Sequence, residues 1–218
     1  MKKVVIFDLD GTLIDTLTDL QKAVNFALAY FGYPERTLNQ VRLAIGNGVA
    51  KLIERSIPNG LLNENYGKCL EIFKNHYRHN YKENTHAYPG MLNTLLKLKE
   101  VGYILTVATN KVFEVARVLL DEEFPGVFDF IQGDTQDVKK KPDRNMIDNI
   151  LEHYKVKPEE VLYIGDTKVD EETALNAGVD YALVTYGFRT IEEIKKSCQC
   201  TTFISSPKEI FDYVVKLL

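Results

Sequence analysis

Val4-Val5-Ile6-Phe7-Asp8-Leu9-Asp10-Gly11-Thr12 is the stretch on which the reading of this chain turns. Its four apolar residues, three of them β-branched, suit a strand buried on both faces. The run is too short for the roughly 7–15 apolar residues of a secretory leader. Two carboxylates with one residue between them then follow. They can converge only if the chain leaves extended geometry, and Gly11 permits that turn. Carboxylates brought close repel each other, so a proton or a divalent cation must sit between them. Hard oxygen ligands favour magnesium, which takes one or two carboxylates together with phosphate oxygens and water. Read alone, the same residues also fit an Asx turn or a helix-capping acid.

Working outward, further short apolar runs end in polar or glycine-containing turns. Ile104–Ala108 precedes Thr109-Asn110, and Val161–Ile164 precedes Gly165-Asp166. Weaker runs are Phe128–Ile131 before Gly133-Asp134, Tyr181–Val184 before Thr185-Tyr186-Gly187, and Thr202–Ile204. Helical spacing fills the intervals: Met91 to Val101, then about 112–122, 145–154, 171–177, 190–197 and 207–217. Strand alternating with helix predicts an α/β fold, a Rossmann-like parallel sheet with helices on both faces. Sites in such sheets form beyond the carboxyl ends of the strands, where these polar turns lie. Residues 16–86 break the alternation. They show helical periodicity through Leu17, Leu20, Val24, Leu28, then Leu52, Ile53, then Cys69, Phe73 and Tyr77, with no convincing strand. The expected organisation is a core of residues 1–15 and 87–218 with an all-helical insertion at 16–86.

The turns carry chemistry that suits one another. Thr109-Asn110 offers a hydroxyl and a backbone N–H to an anionic oxygen. Lys141-Pro142 supplies a compact positive charge, with Lys139 and Lys140 close enough to compete for the role. Gly165-Asp166 through Asp170 adds two carboxylates that would complete a metal site with Asp8.

In these residues the chain resembles the haloacid dehalogenase superfamily, over essentially its whole length. Asp8-Leu9-Asp10-Gly11-Thr12-Leu13 looks like the first motif, Thr109 the second, Lys141-Pro142 the third and Gly165-Asp166 through Asp170 the fourth. The resemblance implies a magnesium-dependent phosphatase with Asp8 as nucleophile and Asp10 as general acid/base. Thr109 and Lys141 would bind the phosphoryl group. Asp8, Asp166 and the backbone carbonyl of Asp10 would hold Mg2+, with Asp170 supporting the site. The helical insertion looks like a C1 cap. Smaller details resemble phosphoglycolate phosphatases: Ile45-Gly46-Asn47-Gly48-Val49 looks like their cap substrate loop, and Thr109-Asn110-Lys111 matches their style. Gly46, Asn47, Gly48 and Asn110 are therefore the expected substrate contacts beside Thr109 and Lys141. One departure stands out. The family's third motif usually continues to a second proline, where this chain has Arg144.

Composition bounds the rest. The 218 residues are 45% hydrophobic and 27% charged with a net charge of −4, so no basic footprint points to nucleic acid or an anionic membrane. Cys69, Cys198 and Cys200 read as reduced thiols of a cytoplasmic protein. The expected partner is a small phosphorylated metabolite, 2-phosphoglycolate first, acting on a monomer or homodimer. Pyrophosphate, sugar phosphates and nucleoside monophosphates stay open as substrates. A phosphomutase shares all four motifs. A dehalogenase would not need Asp10, and a non-catalytic binding protein would not need the intact set.

Overall fold

A computed structural model describes residues 2–217. The chain opens with β1 (Val4–Phe7), β2 (Ile14–Asp15), α1 (Leu17–Ala29), α2 (Leu38–Ala44), α3 (Gly48–Ser56), α4 (Tyr66–Asn80) and β3 (His86–Ala87). It continues through α5 (Met91–Glu100), β4 (Ile104–Val112), α6 (Phe113–Glu123), β5 (Phe130–Asp134) and α7 (Asn145–Tyr154). Then come β6 (Val161–Gly165), α8 (Lys168–Ala177), β7 (Asp180–Val184), α9 (Ile191–Ser197), β8 (Phe203–Ile204) and α10 (Pro207–Val215). Two compact units result. One comprises the residues up to Ile14 and from Ala87 onward, the other Asp15–His86.

The first unit is an α/β sandwich around a six-stranded sheet in the order β5-β4-β1-β6-β7-β8. Every neighbouring pair runs parallel. Parallel pairing requires a crossover between strands, which is why helices separate them in sequence. Val4, Val5, Ile6 and Phe7 are all completely buried, so the central strand is covered on both faces. Val4 and Ile6 pack with Tyr163 and Val161 against Met146, Ile147 and Ile150 of α7 and Ala174 and Ala177 of α8. The alternate residue Phe7 serves the opposite face and meets Phe128 edge-on. Because the strands are parallel, their carboxyl ends share one edge of the sheet.

Three boundaries differ from the sequence expectation. Strand β4 does not stop at Ala108 but runs on through Thr109, Asn110 and Lys111 to Val112, which is in register with Asp134 across an irregular stretch of the ladder. Gly133 allows this: a Cβ there would press on Phe113 Cα and the Lys111 carbonyl. Strand β5 starts two residues later than expected, since the Phe128 ring is spent on Phe7 and Phe124. Helix α8 begins at Lys168 instead of 171, because Asp170 in its first turn accepts from the Thr167 N–H and hydroxyl and so caps it earlier.

The second unit is mainly helical. Leu20, Val24 and Leu28 of α1 are buried, as are Phe73 and Tyr77 of α4, and the two helices pack together. Helix α2 was not anticipated, although Thr37 and Gln40 form the reciprocal capping box that marks its start. Short β2 and β3 pair with each other at the two ends of the insertion, and of residues 16–86 only His86 belongs to a strand. Two-residue strands leave no periodicity to read. Asp19 of α1 is buried and accepts from the backbone N–H groups of Asn84 and Thr85 and from both their side chains. Gly46, Asn47 and Gly48 link α2 to α3, with Asn47 Oδ1 accepting from Arg55 at 2.9 Å and both glycines at positive φ.

Candidate active site

The turn after β1 is built on the carbonyl of Leu9, which accepts from the N–H groups of Thr12, Leu13 and Ile14. It takes the chain out of extended geometry immediately beyond Asp8, as two converging carboxylates require. Gly11 stands at φ +87, and a Cβ there would collide with the Asp166 carboxylate. The β1–β6 pairing continues one step past the strand, since Asp8 N–H donates to the Ile164 carbonyl at 2.9 Å. Asp8 and Asp166 therefore leave adjacent strands side by side.

Lys141 is the centre of the cluster. Its ammonium lies 2.8 Å from Asp8 Oδ1, 2.7 Å from Asp170 Oδ1 and 2.9 Å from the Tyr163 hydroxyl. Its side chain is 2% exposed. The neighbouring lysines go elsewhere: Lys140 pairs with Asp134 at 2.7 Å and Lys139 lies 3.7 Å from Asp143. Arg144, standing where the family's second proline would be, makes a two-point contact with Asp148 at the start of α7.

The side chain of Asn110 is committed within the chain. Its side-chain oxygen accepts from the Lys141 N–H at 2.8 Å and its amide donates to the Lys141 carbonyl at 3.0 Å. The side chain is thus a clasp joining β4 to the lysine loop, at a position where a substrate contact was expected. Asp170 is engaged just as fully. Oδ2 accepts from the N–H groups of Asp166 and Thr167 and from the Thr167 hydroxyl, while Oδ1 accepts from Lys141 and Tyr163. Five donors occupy a carboxylate with about four lone-pair positions. Gly165 makes the arrangement possible, since a Cβ there would overlap the Asp170 side chain.

Asp166 has the opposite character. Oδ2 accepts from the Phe188 N–H at 2.8 Å, but Oδ1 is buried with no hydrogen-bond partner. Asp8 Oδ1 is likewise buried without a well-directed hydrogen bond, although it lies in charge contact with Lys141. Thr109 is buried within β4, its Oγ1 accepting from the Lys111 N–H. Asp10 Oδ1 is bound by Lys111 Nζ at 2.8 Å.

The electrostatics follow from burial. Desolvation pushes the Asp8 carboxyl up to about 7; Lys141 opposes this, and Asp170 and Asp10 add to it. Burial, with Asp170 and Asp8 nearby, raises Asp166 well above the usual range, and the Phe188 N–H and the charge of Arg189 do not offset it. Burial works against ionised Asp170 too, but Lys141 and the Thr167 donors outweigh it and hold that carboxyl low. Lys141 would be lowered by burial alone. Asp170 and Asp8 reverse this and hold it well above its ordinary value.

Asp8, Asp166 and Asp170 offer oxygens within 4.8 Å of one another. With all three ionised, three carboxylates against one ammonium would leave two negative charges, which one divalent cation would neutralise. The orphaned Asp166 Oδ1 gives such an ion a ligand with nothing else to bind, and an all-oxygen set suits Mg2+. The saturated Asp170 fits a supporting position outside the coordination shell. Tyr163 was missed in the sequence, where it reads as one more apolar strand residue. Its hydroxyl lies 3.0 Å from Asp170 and 3.3 Å from the Ala108 carbonyl, a role only the fold reveals.

A parallel sheet whose strand ends gather a buried aspartate beside a buried lysine, with two further buried carboxylates, is the arrangement of a hydrolase. The comparisons agree: residues 5–184 match the haloacid dehalogenase-like hydrolase family, and the chain belongs to it. A phosphoglycolate phosphatase of Aquifex aeolicus (strain VF5) is 34% identical, the match covering 95% of this chain and 94% of that protein. That of Vibrio cholerae serotype O1 is 36% identical over 88% of each chain. Among solved structures, a Lactobacillus delbrueckii subsp. bulgaricus protein provisionally named phosphoglycolate phosphatase superimposes with a TM-score of 0.93 at 29% identity, covering 98% of this chain and 99% of that one.

Proposed function

We propose that the protein is a Mg2+-dependent phosphatase that hydrolyses a small phosphate monoester, 2-phosphoglycolate foremost, through a phosphorylated Asp8. The observation that carries this reading is the Lys141 ammonium 2.8 Å from a buried Asp8, in a pocket with charge and an orphaned oxygen for a divalent ion. Asp8 and Asp166 would hold that ion, together with the backbone carbonyl of Asp10. When bound, Mg2+ supplies positive charge that lowers the repulsion between a carboxylate nucleophile and a phosphate dianion.

In the first half-reaction an Asp8 oxygen bonds to phosphorus, the ester phosphorus–oxygen bond breaks, and Asp10 gives its proton to the departing oxygen. In the second, Asp10 takes a proton from the water that attacks phosphorus, and the Asp8–phosphorus link breaks to release inorganic phosphate. Lys141 and Thr109 stabilise charge on the equatorial oxygens, and Asn110 contributes its backbone N–H. Asp170, Tyr163 and Asn110 hold Lys141 in position for this.

Substrate choice is assigned to the helical unit, which acts as a cap of residues 16–86 and uses Gly46, Asn47 and Gly48. The named relatives support 2-phosphoglycolate, whose carboxylate gives such a loop something to recognise. Three unpaired cysteines support a cytoplasmic setting. Among the described residues no helix is long and apolar enough to cross a membrane.

The test is phosphate release from a panel of monoesters and pyrophosphate, with Mg2+ and with EDTA. Asp8→Asn should lose all turnover, EDTA should do the same, and 2-phosphoglycolate should lead in kcat/KM by about 100-fold. Substantial activity in Asp8→Asn would remove it as nucleophile. An even spread over the panel would leave the chemistry and remove 2-phosphoglycolate.

A further inference from the structure

We infer that Lys111 is a positioning residue for the general acid/base, holding the Asp10 carboxyl in place through one of its oxygens. This rests on the phosphatase reading above and extends it to a residue with no motif role of its own. The two residues are 101 positions apart in the chain and meet because β4 lies beside β1, with Ile6 in register with Thr106 and Phe7 with Val107. Lys111 Nζ lies 2.8 Å from Asp10 Oδ1, and the side chains are 6% and 18% exposed. A contact this sheltered is far from the solvated surface pairs that contribute almost nothing.

The lysine is itself held at its root. Its N–H donates to the Thr109 hydroxyl at 3.2 Å, and its carbonyl is packed over Gly133, where a Cβ would crowd it. The backbone is therefore set by the phosphate-binding threonine and by β5, while the side chain reaches across to the strand that carries the nucleophile. One rigid segment thus presents both Thr109 and the cation that aims Asp10.

The chemistry of the pair sets the outcome. The contact restrains the Asp10 carboxyl at one oxygen and so fixes where the group points. In the first half-reaction Asp10 gives a proton to the departing ester oxygen as its bond to phosphorus breaks. In the second, Asp10 receives a proton from the attacking water. Lys111 keeps its protons throughout, and nothing is consumed.

The experiment compares Lys111→Met and Lys111→Arg with the wild type, measuring single-turnover release of the leaving group. One substrate is an alkyl phosphate, 2-phosphoglycolate, whose alkoxide needs a proton to leave. The other is p-nitrophenyl phosphate, whose phenolate does not. Lys111→Met should slow the alkyl ester about 30-fold or more and the aryl ester less than about 3-fold, since acid catalysis is lost only where it is needed. KM and half-saturation by Mg2+ should stay at wild-type values. Lys111→Arg, which keeps a cation, should recover part of the alkyl-ester rate. If the methionine variant does not fold, Lys111→Gln carries the same contrast.

Equal losses on both esters would overturn the proposal and make Lys111 structural. A raised KM confined to the carboxylate-bearing ester, with normal turnover, would also overturn it and make Lys111 a substrate contact. A wild-type chain releasing phosphate from no monoester would overturn the phosphatase reading first, before any variant is made.

Discussion

At the scale of single residues, the site is a balance of buried charge. Lys141 has Asp8, Asp170 and the Tyr163 hydroxyl within 2.9 Å, and its side chain is 2% exposed. An ammonium in this position is tolerated because its surroundings are held by other contacts: Asp170 by Thr167 and the Asp166 N–H, the lysine backbone by Asn110. Removing the cation while keeping the volume strands two carboxylates in low dielectric. Lys141→Met should therefore cost about 3–5 kcal/mol in urea unfolding, the range for breaking a buried pair by deleting one partner, as well as abolishing turnover. A cost below about 1 kcal/mol would show that the carboxylates simply take up protons in its absence. Residue identity alone told part of this. Three adjacent lysines competed for one role; the following Pro142 favoured Lys141 in the sequence, and packing separates it from Lys140, which faces Asp134.

Elements position these residues, and in the helical unit the clearest case is Asp19. It ties α1 to the segment just before β3 through the N–H groups and side chains of Asn84 and Thr85. Burial alone would raise its carboxyl, but these donors outweigh that and hold it below its ordinary value. Asp19→Asn should lower stability by about 2 kcal/mol, the scale of hydrogen bonds to a charged group. A folded-state value below the unfolded one gives stability that is full above pH 3.8 and fades as pH falls through the folded value. The gap between wild type and variant should accordingly narrow on acidification, as thermal melts at pH 7 and pH 3 would show. A gap that widened in acid would mean the carboxylate is not the stabilising form. Element boundaries were legible where an apolar run ended and illegible where polar residues stayed in the ladder, as Thr109 to Lys111 do in β4.

On the scale of the whole molecule, the ends of β1 and β6 and the first turn of α8 gather three buried carboxylates, whose charge would make cation binding pH-dependent. Asp8, with its carboxyl pushed up to about 7, holds a proton in neutral to mildly acidic solution without metal. The sign follows from that raised value: its stabilising contribution is full below 3.8 and is lost as pH rises to about 7. Mg2+ must displace this proton and any held by Asp166, whose carboxyl burial also raises, so affinity should tighten at least roughly tenfold per pH unit below about 7. At 100 times the dissociation constant, Mg2+ should add about 2.7 kcal/mol to stability. Thermal shifts with and without EDTA, at pH 6 and pH 8, would measure both effects. A shift independent of pH would mean that the ion does not bind through Asp8.

What the sequence determined by itself is the periodic part and the chemistry that needs particular residue types. Apolar β-branched runs alternating with helical spacing define a parallel α/β sheet, because burial on both faces leaves no other pattern. Asp8, Asp10, Thr109, Lys141, Asp166 and Asp170 stand out because carboxylates at strand ends need a turn, a cation and a counter-charge. The tertiary structure decided which groups meet at 3 Å, since such pairings depend on strand order. The Lys141–Tyr163 contact joins a loop to a core strand that carries no polar signal in sequence. Asp10 and Lys111 meet only because β4 is the neighbour of β1. Asp170, marked in the sequence as a metal residue, proved saturated by five donors, a count that exists only once the chain has folded.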